Sequence, residues 1–104
     1  MTVDTSWNSL RRCRATVPPH VVFRVLAHET VLLNVDTGQY HGLDLIGGRF
    51  FEVINDAPDL QAASAVLAKE YGQTAERIEA DLATFCSDLR ELGLIELQPQ
   101  QQQG

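Results

Sequence analysis

The 104-residue chain lacks the marks of a membrane or secreted protein. No hydrophobic run reaches the roughly 18 consecutive apolar residues that a membrane-spanning helix requires. The N-terminal segment, MTVDTSWNSLRRCR, has no apolar stretch of the kind found in secretory signal peptides. Only two cysteines are present, Cys13 and Cys86, and a reducing compartment disfavours a disulfide between them. These absences predict a cytoplasmic protein with no membrane partner.

The residue spacings of common metal and catalytic sites are also missing. His20, His28 and His41 have no metal-ligand spacing with one another or with either cysteine. A cysteine nucleophile would need a partner histidine and a group that orients it, and no such set is visible. No glycine-rich loop follows a strand in the way that a dinucleotide or phosphate site requires. The sequence therefore predicts a non-enzyme without metal or cofactor.

Positive charge is scarce, and the excess of acid is uneven. The net charge of −6 and a pI near 4.8 disfavour a nucleic-acid surface. In the second half only Lys69, Arg77 and Arg90 oppose the acids, which are Asp56, Asp59, Glu70, Glu76, Glu79, Asp81, Asp88, Glu91 and Glu96. This half is expected to favour a cationic partner over nucleic acid.

Three strand-like segments occupy the middle of the chain. They are HVVFRVL (20–26), TVLLNV (30–35) and QYHGL (39–43), each rich in β-branched, aromatic or other apolar residues. The turn at Asp36, Thr37 and Gly38 joins the last two, with Gly38 supplying a positive φ and Asp36 bonding nearby amides. The pattern predicts an antiparallel meander whose third strand, 39–43, leaves its outer edge unpaired.

Helical spacing begins directly after the third strand. Asp44, Asp59 and Thr74 are predicted N-caps of three helices, and Gly72 and Gly93 mark helix ends. A pair of glycines, 47–48, permits another backbone to approach the first helix closely. The predicted fold is α+β and winged helix-turn-helix-like, with a three-stranded antiparallel sheet followed by three helices (β-β-β-α-α-α). Residues 17–97 form the domain, 1–16 a flexible arm and 98–104 a disordered tail.

The run DTGQYHGLDLIGGRFFEVI, followed by LAKEYGQTAERIEADLATFCSDLRELGLIEL, resembles the PqqD-like proteins over roughly residues 20–97. These are the leader-peptide recognition elements of ribosomally made, modified peptides. For a free-standing chain the resemblance implies lasso-peptide synthesis, with a precursor peptide, a leader peptidase and a macrocyclase as partners. The alternative is delivery of a peptide to a radical SAM enzyme, as in pyrroloquinoline quinone synthesis. Asp44, where the family often has Asn, and Phe50-Phe51, near a common Trp, depart from the pattern but keep cap and core roles.

The resemblance implies that the leader adds a strand to the third strand, in a groove between that strand and the third helix. Backbone groups of Gln39, Tyr40, His41 and Gly42 would bond the leader. The implied groove walls are Val31, Leu33, Tyr40, Ile78 and Phe85. Asp81 and Asp88 would flank the groove and pair with basic leader residues.

Simpler interpretations of the same residues stay open. Ile78 and Phe85 fit a core stripe, and Asp81 and Asp88 fit a solvated helix face. The element order also resembles a DNA-binding winged helix, although the polar face of the third helix is net acidic and phosphate contacts would oppose it. An inert subunit or folding scaffold is the third possibility.

Overall fold

The computed structural model describes residues 6–99, which fold into four helices and five strands. In chain order these are α1 (Trp7–Leu10), β1 (Cys13–Thr16), β2 (Val21–Val25), β3 (Thr30–Asn34), β4 (Gln39–Leu43), α2 (Leu45–Asp56), α3 (Leu60–Tyr71), α4 (Ala75–Glu91) and β5 (Glu96–Pro99). The strands form two separate sheets, one of the order β2-β3-β4 and one of the order β1-β5.

The larger sheet is the predicted antiparallel meander, with β3 in the centre and β2 and β4 at the edges. The turn between β3 and β4 has Gly38 at a φ of 76°, as predicted. Its side-chain acceptor is not Asp36, however. Asn34 Oδ1 accepts the amides of Asp36 and Thr37 at 3.0 and 3.2 Å. An asparagine just before the turn provides the same local bonding as the predicted aspartate.

Each face of this sheet has a different environment. Thr30 and Leu32 of β3 are 3% and 0% exposed and point toward the helices. Successive side chains of a strand alternate between the two faces, so Val31 and Leu33 of β3 point away from the helices. Directly paired residues share a face, so the partners of Val31 and Leu33 on β2 and β4 point the same way. We call this other side the outer face; it carries Val22, Arg24, Val31, Leu33, Tyr40 and Gly42.

The helix boundaries follow the local signals in the sequence. Each predicted N-cap accepts a hydrogen bond from the amide three residues later: Asp44 from Gly47 at 2.8 Å, Asp59 from Ala62 at 2.8 Å and Thr74 from Arg77 at 3.2 Å. Gly72 ends α3 in the left-handed conformation, with a φ of 62°. Such caps satisfy amides that the first turn of a helix leaves unpaired.

The three long helices and the inner side of the sheet enclose one hydrophobic core. Its largest fully buried side chains are Phe51, Leu10, Leu32, Ile54, Leu60, Leu67, Leu82, Leu94, Ile95 and Cys86. Gly48 brings α2 close to β3, since a Cβ at this position would lie 2.7 Å from Thr30 Oγ1. This confirms the close approach expected from the glycine pair. Tyr71 and Leu92, at or next to the C-terminal ends of α3 and α4, remain 36% and 50% exposed.

The ends of the described chain differ from the prediction of an unstructured arm and tail. Residues 6–16 contain α1 and β1, and Leu10 and Ala15 are 1% and 2% exposed. Strand β1 pairs with β5, which extends through Gln98 to Pro99. The prediction is thus wrong for residues 6–16 and 98–99, because a pairing between distant segments orders them. Residues 1–5 and 100–104 lie outside the described part, and the domain limits stay a prediction.

Candidate functional site

Strand β4 hydrogen-bonds to β3 alone within residues 6–99, so its other edge is open. Two bonds of the β2–β3 hairpin fix which backbone groups lie at that edge. The amide of Leu26 donates to the carbonyl of Glu29, and the amide of Val35 donates to the carbonyl of His20, both at 2.8 Å. Bonding direction alternates along antiparallel strands. The even-numbered residues of β3 therefore point their backbone groups toward β4.

The pairing register carries this alternation across to β4. Residues Gln39, His41 and Leu43 are opposite Asn34, Leu32 and Thr30, and their backbone groups bond to β3. The N–H and C=O groups of Tyr40 and Gly42 consequently point away from the sheet. We call these four groups the β4 edge; it offers two donors and two acceptors to another strand.

The outer face beside the β4 edge is apolar and open. Tyr40 is 70% exposed. A cavity of about 400 Å³ lies on this face, lined by Val22, Phe23, Arg24, Leu26, Val31, Leu33 and Tyr40. Gly42 lies under a carboxylate, because a Cβ there would be 3.3 Å from Glu29 Oε2. If a strand were added at the β4 edge, every second side chain of that strand would point to the same side as this apolar face and could contact it.

The helix side of the same edge is bordered by Leu43, Gly47 and Phe85, which we call the cleft. A Cβ on Gly47 would lie 3.4 Å from Leu43 Cβ and 3.6 Å from Phe85 Cε1, so the missing side chain lets α2, α4 and the end of β4 converge. The Phe85 ring packs edge-on against Phe50, with centroids 5.6 Å apart. Phe85 remains partly exposed. The cleft therefore presents an aromatic surface that can contact an incoming apolar side chain.

Two acids of α4 lie on the same stripe as Phe85. Asp81 and Asp88 are both exposed and stand seven residues apart, which places them on one helix face two turns from each other. Asp81 Oδ2 lies 3.9 Å from Nε of Arg77, in an exposed pair that contributes little to stability. No ion pair involves Asp88 in the described part of the chain. This helix face therefore carries negative charge that a cationic side chain could approach.

The structure does not bring the predicted groove walls together. Val31, Leu33 and Tyr40 lie on the outer face, whereas Phe85 lies on the helix side. Ile78 is only 2% exposed and belongs to the core. The grouping of these five residues in one groove was wrong. Leu43 and Gly47 take the place of Ile78 beside Phe85, and the glycine pair in the sequence was the signal for them. Whether each residue touches a peptide stays a prediction.

Within the described chain, the ionisable groups with altered pKa values all lie outside β4 itself. Burial raises the pKa of the Cys86 thiol to about 12, and it also raises the pKa of Cys13. Both cysteines are free thiols. The Arg49 guanidinium donates to both carboxylate oxygens of Glu70 at 2.7–3.1 Å and lowers the pKa of that carboxyl, tying α2 to α3.

Residues 6–99 offer no support for a metal site or a membrane span. No group of three or more His, Cys, Asp and Glu side chains is placed to hold a metal ion in that range. Over the same residues, none of the helices combines the length and apolarity needed to cross a bilayer. The β4 edge, the outer face beside it and the cleft on its helix side together form the candidate functional site.

Comparison with known proteins agrees with this geometry. The family model described as coenzyme PQQ synthesis protein D (PqqD) matches residues 29–95. The solved structure of TbiB1 in complex with the TbiA(beta) leader peptide superposes with a TM-score of 0.73 at 28% identity, covering 78% of this chain and 94% of that one. A lasso peptide synthetase B1 complexed with its leader peptide shares the fold, with a TM-score of 0.73 at 20% identity over 80% of this chain and 98% of that one.

A search of the curated proteins gave no match. The family match nevertheless spans well over half of the chain, from the end of the β2–β3 turn to the residues just before β5. It covers β3, β4 and all three long helices, which are the elements that build the β4 edge and the cleft. The resemblance seen in the sequence is confirmed: this chain belongs to the PqqD family.

Proposed function

We propose that this protein binds the leader region of a ribosomally made precursor peptide by strand addition at the β4 edge. It then presents the peptide to a leader peptidase and a macrocyclase of lasso-peptide type and performs no chemistry itself. The observation that carries the proposal is the open β4 edge, with the backbone groups of Tyr40 and Gly42 directed outward. A related structure, TbiB1, is in complex with a leader peptide.

Backbone pairing supplies affinity that does not depend on the leader sequence. An antiparallel strand can bond to both donors and both acceptors of Tyr40 and Gly42. Each bond contributes about 0.5–1.5 kcal/mol net, since water is displaced from both partners. Backbone bonds alone therefore give weak binding, and side chains must supply the rest.

Side chains on the two sides of the edge supply selectivity. Alternate leader residues face the outer face near Tyr40, while those between them face the cleft near Phe85. Each apolar side chain buried there contributes about 25 cal/mol per Å² of area removed from water. Asp81 and Asp88 favour a leader with Lys or Arg beside its apolar residues. The protein is thus expected to select an extended, apolar and basic segment.

The enzyme that receives the peptide has a second candidate. The family description names coenzyme PQQ synthesis, which favours delivery to a radical SAM enzyme. The solved structure of a lasso peptide synthetase B1 with a leader peptide instead favours a lasso-peptide setting. The leader site at the β4 edge is the same in both cases. The genes beside the coding sequence separate them, since a macrocyclase or a radical SAM enzyme would be encoded there.

The direct test is a fluorescence anisotropy titration. The probes are the TbiA(beta) leader peptide and the leader of any precursor encoded beside this gene. We expect micromolar or tighter binding of the cognate leader, with NMR shift changes at the amides of Tyr40 and Gly42. A labelled DNA duplex serves as the control for the winged-helix alternative. Absence of leader binding, or salt-sensitive binding to DNA alone, would contradict the proposal.

A further inference from the structure

The sheet has a second open edge, on β2. The backbone groups of Tyr40 on β4 point away from the sheet. By the same alternation, the backbone N–H and C=O groups of Val21, Phe23 and Val25 point away from the sheet on β2. The amide of Val21 donates to the carbonyl of Pro18 at 3.0 Å. The backbone groups of Phe23 and Val25 have no hydrogen-bond partner among residues 6–99. Neither proline nor lysine, which protect many natural edges from pairing, occurs in this strand, and the side chain of its one charged residue, Arg24, lies on the outer face and not on the side of α2.

Apolar side chains border this β2 edge and are unusually open to solvent. Phe23 is 48% exposed and Val25 is 64% exposed. The Phe23 ring packs edge-on against Phe51 of α2, with centroids 5.0 Å apart, which holds it in place. A cavity of about 230 Å³ lies between the edge and α2, lined by Phe23, Val25, Gly48, Phe51, Glu52, Asn55 and Asp56. A strand added here could bury side chains against a formed apolar surface.

The rim of this cavity is acidic. Glu52 and Asp56 stand one turn apart on α2, and both line the cavity. Glu52 is bonded at 2.6 Å to Arg49, which also binds Glu70, so the Glu52 charge is only partly neutralised within the protein. Asp56 has no ion pair anywhere in the described range 6–99. A cation placed over the cavity would therefore meet the Asp56 carboxylate first.

We propose that the β2 edge is a second docking site, which takes an extended segment of another polypeptide by strand addition. That segment carries apolar side chains facing α2 and a Lys or Arg that reaches Asp56. A second copy of this chain fits poorly, because each copy carries a net charge of −6 and pairing would join two acidic α2 rims. The two edges lie on opposite sides of β3, so both can be occupied at once.

The test uses the ¹⁵N-labelled full chain and a short probe peptide. The probe is acetylated and amidated Val-Thr-Lys-Thr-Val-Thr, whose valines and lysine share one face of a strand. The control peptide has glutamate in place of lysine. We expect amide shift changes at Phe23 and Val25, with the glutamate peptide binding about threefold to tenfold more weakly. In Asp56→Lys, which alters only an exposed side chain, the preference should reverse.

Two outcomes would overturn this inference. One is that the amide shift changes are confined to Tyr40 and Gly42, or that no amide shift changes at millimolar concentrations of the probe peptide. The other is an unchanged preference for the lysine peptide in Asp56→Lys. The leader titration is run on the same variant, where leader affinity should match that of the unmodified protein. Failure of the leader to bind would count against the β4 edge only, so the two proposals are tested separately.

Discussion

Replacing Gly42 by proline tests the backbone pairing at the β4 edge. In the free protein the Gly42 N–H points away from the sheet, so Gly42→Pro removes no bond of the β3–β4 ladder. Proline is tolerated on edge strands for this reason. His41→Pro, one residue earlier, would instead remove a bond to Leu32 in the ladder and destabilise the fold. Gly42→Pro should therefore stay folded while it disturbs leader binding.

The size of the effect follows from what an incoming strand meets. The substitution deletes one of the two donors at the edge, which costs about 0.5–1.5 kcal/mol of binding free energy. The proline ring also occupies space where the leader backbone would lie, at about 4.8 Å from β4. Together these predict a loss of leader affinity of about tenfold to a hundredfold.

Gly42→Ala is the matched control. Its Cβ lies on the outer face, 3.3 Å from Glu29 Oε2, and the flexible carboxylate can move aside. The amide that pairs with the leader is kept, so affinity should stay within about threefold of the unmodified protein, because one lost surface contact costs little. Leader affinity is measured by anisotropy for both variants, and circular dichroism with thermal melts confirms that each is folded.

Two results would refute this reasoning. The first is a folded Gly42→Pro protein with undiminished affinity, because the leader would then bind without the Gly42 amide. The second is an equal loss in Gly42→Ala and Gly42→Pro. In that case contact with the outer face, and not the backbone donor, would decide binding at this position.

Three further predictions concern charge, packing and thiol reactivity. Asp88→Lys should weaken binding of a basic leader about twofold to tenfold at low salt. At about 1 M salt, where surface charges are screened, the substitution should have little effect on the affinity measured by anisotropy. Gly48→Ala should lower the unfolding free energy by about 1–3 kcal/mol in urea titrations, since its Cβ would press on the buried Thr30; an unchanged midpoint would contradict this. Cys86, fully buried and with its pKa raised to about 12, should resist iodoacetamide at pH 8 until the protein unfolds, and mass spectrometry of the native protein would expose any rapid labelling.

The sequence predicted those parts of the fold that depend on local chemistry. Asp59 and Thr74 cap helices because their side chains reach amides three residues away, and Gly72 ends α3 because only glycine adopts its φ easily. The β3–β4 turn was found for the same reason. In each case the residues that decide the structure are neighbours in the chain, so the pattern is visible without the rest of the fold.

The parts of the fold that the sequence did not predict depend on contacts between distant segments or on which face of a strand is buried. Strand β1 is short and polar at every second position, and it forms by pairing with β5 at the other end of the chain. In β3, Val31, Leu32 and Leu33 are all apolar, so the sequence does not show which of them faces the helices. The predicted groove therefore combined side chains from opposite faces of the sheet.

The pairing of β1 with β5 has a consequence for how this fold can be used. Cys13 lies opposite Pro99 in that ladder, so the first and last strands of the domain end side by side, and only α1 and its turn precede them in the described chain. A domain with adjacent entry and exit points can be spliced into a loop of a larger host protein without stretching that loop apart. The same arrangement allows a short linker to join the two ends in a circularly permuted version, with new termini opened elsewhere.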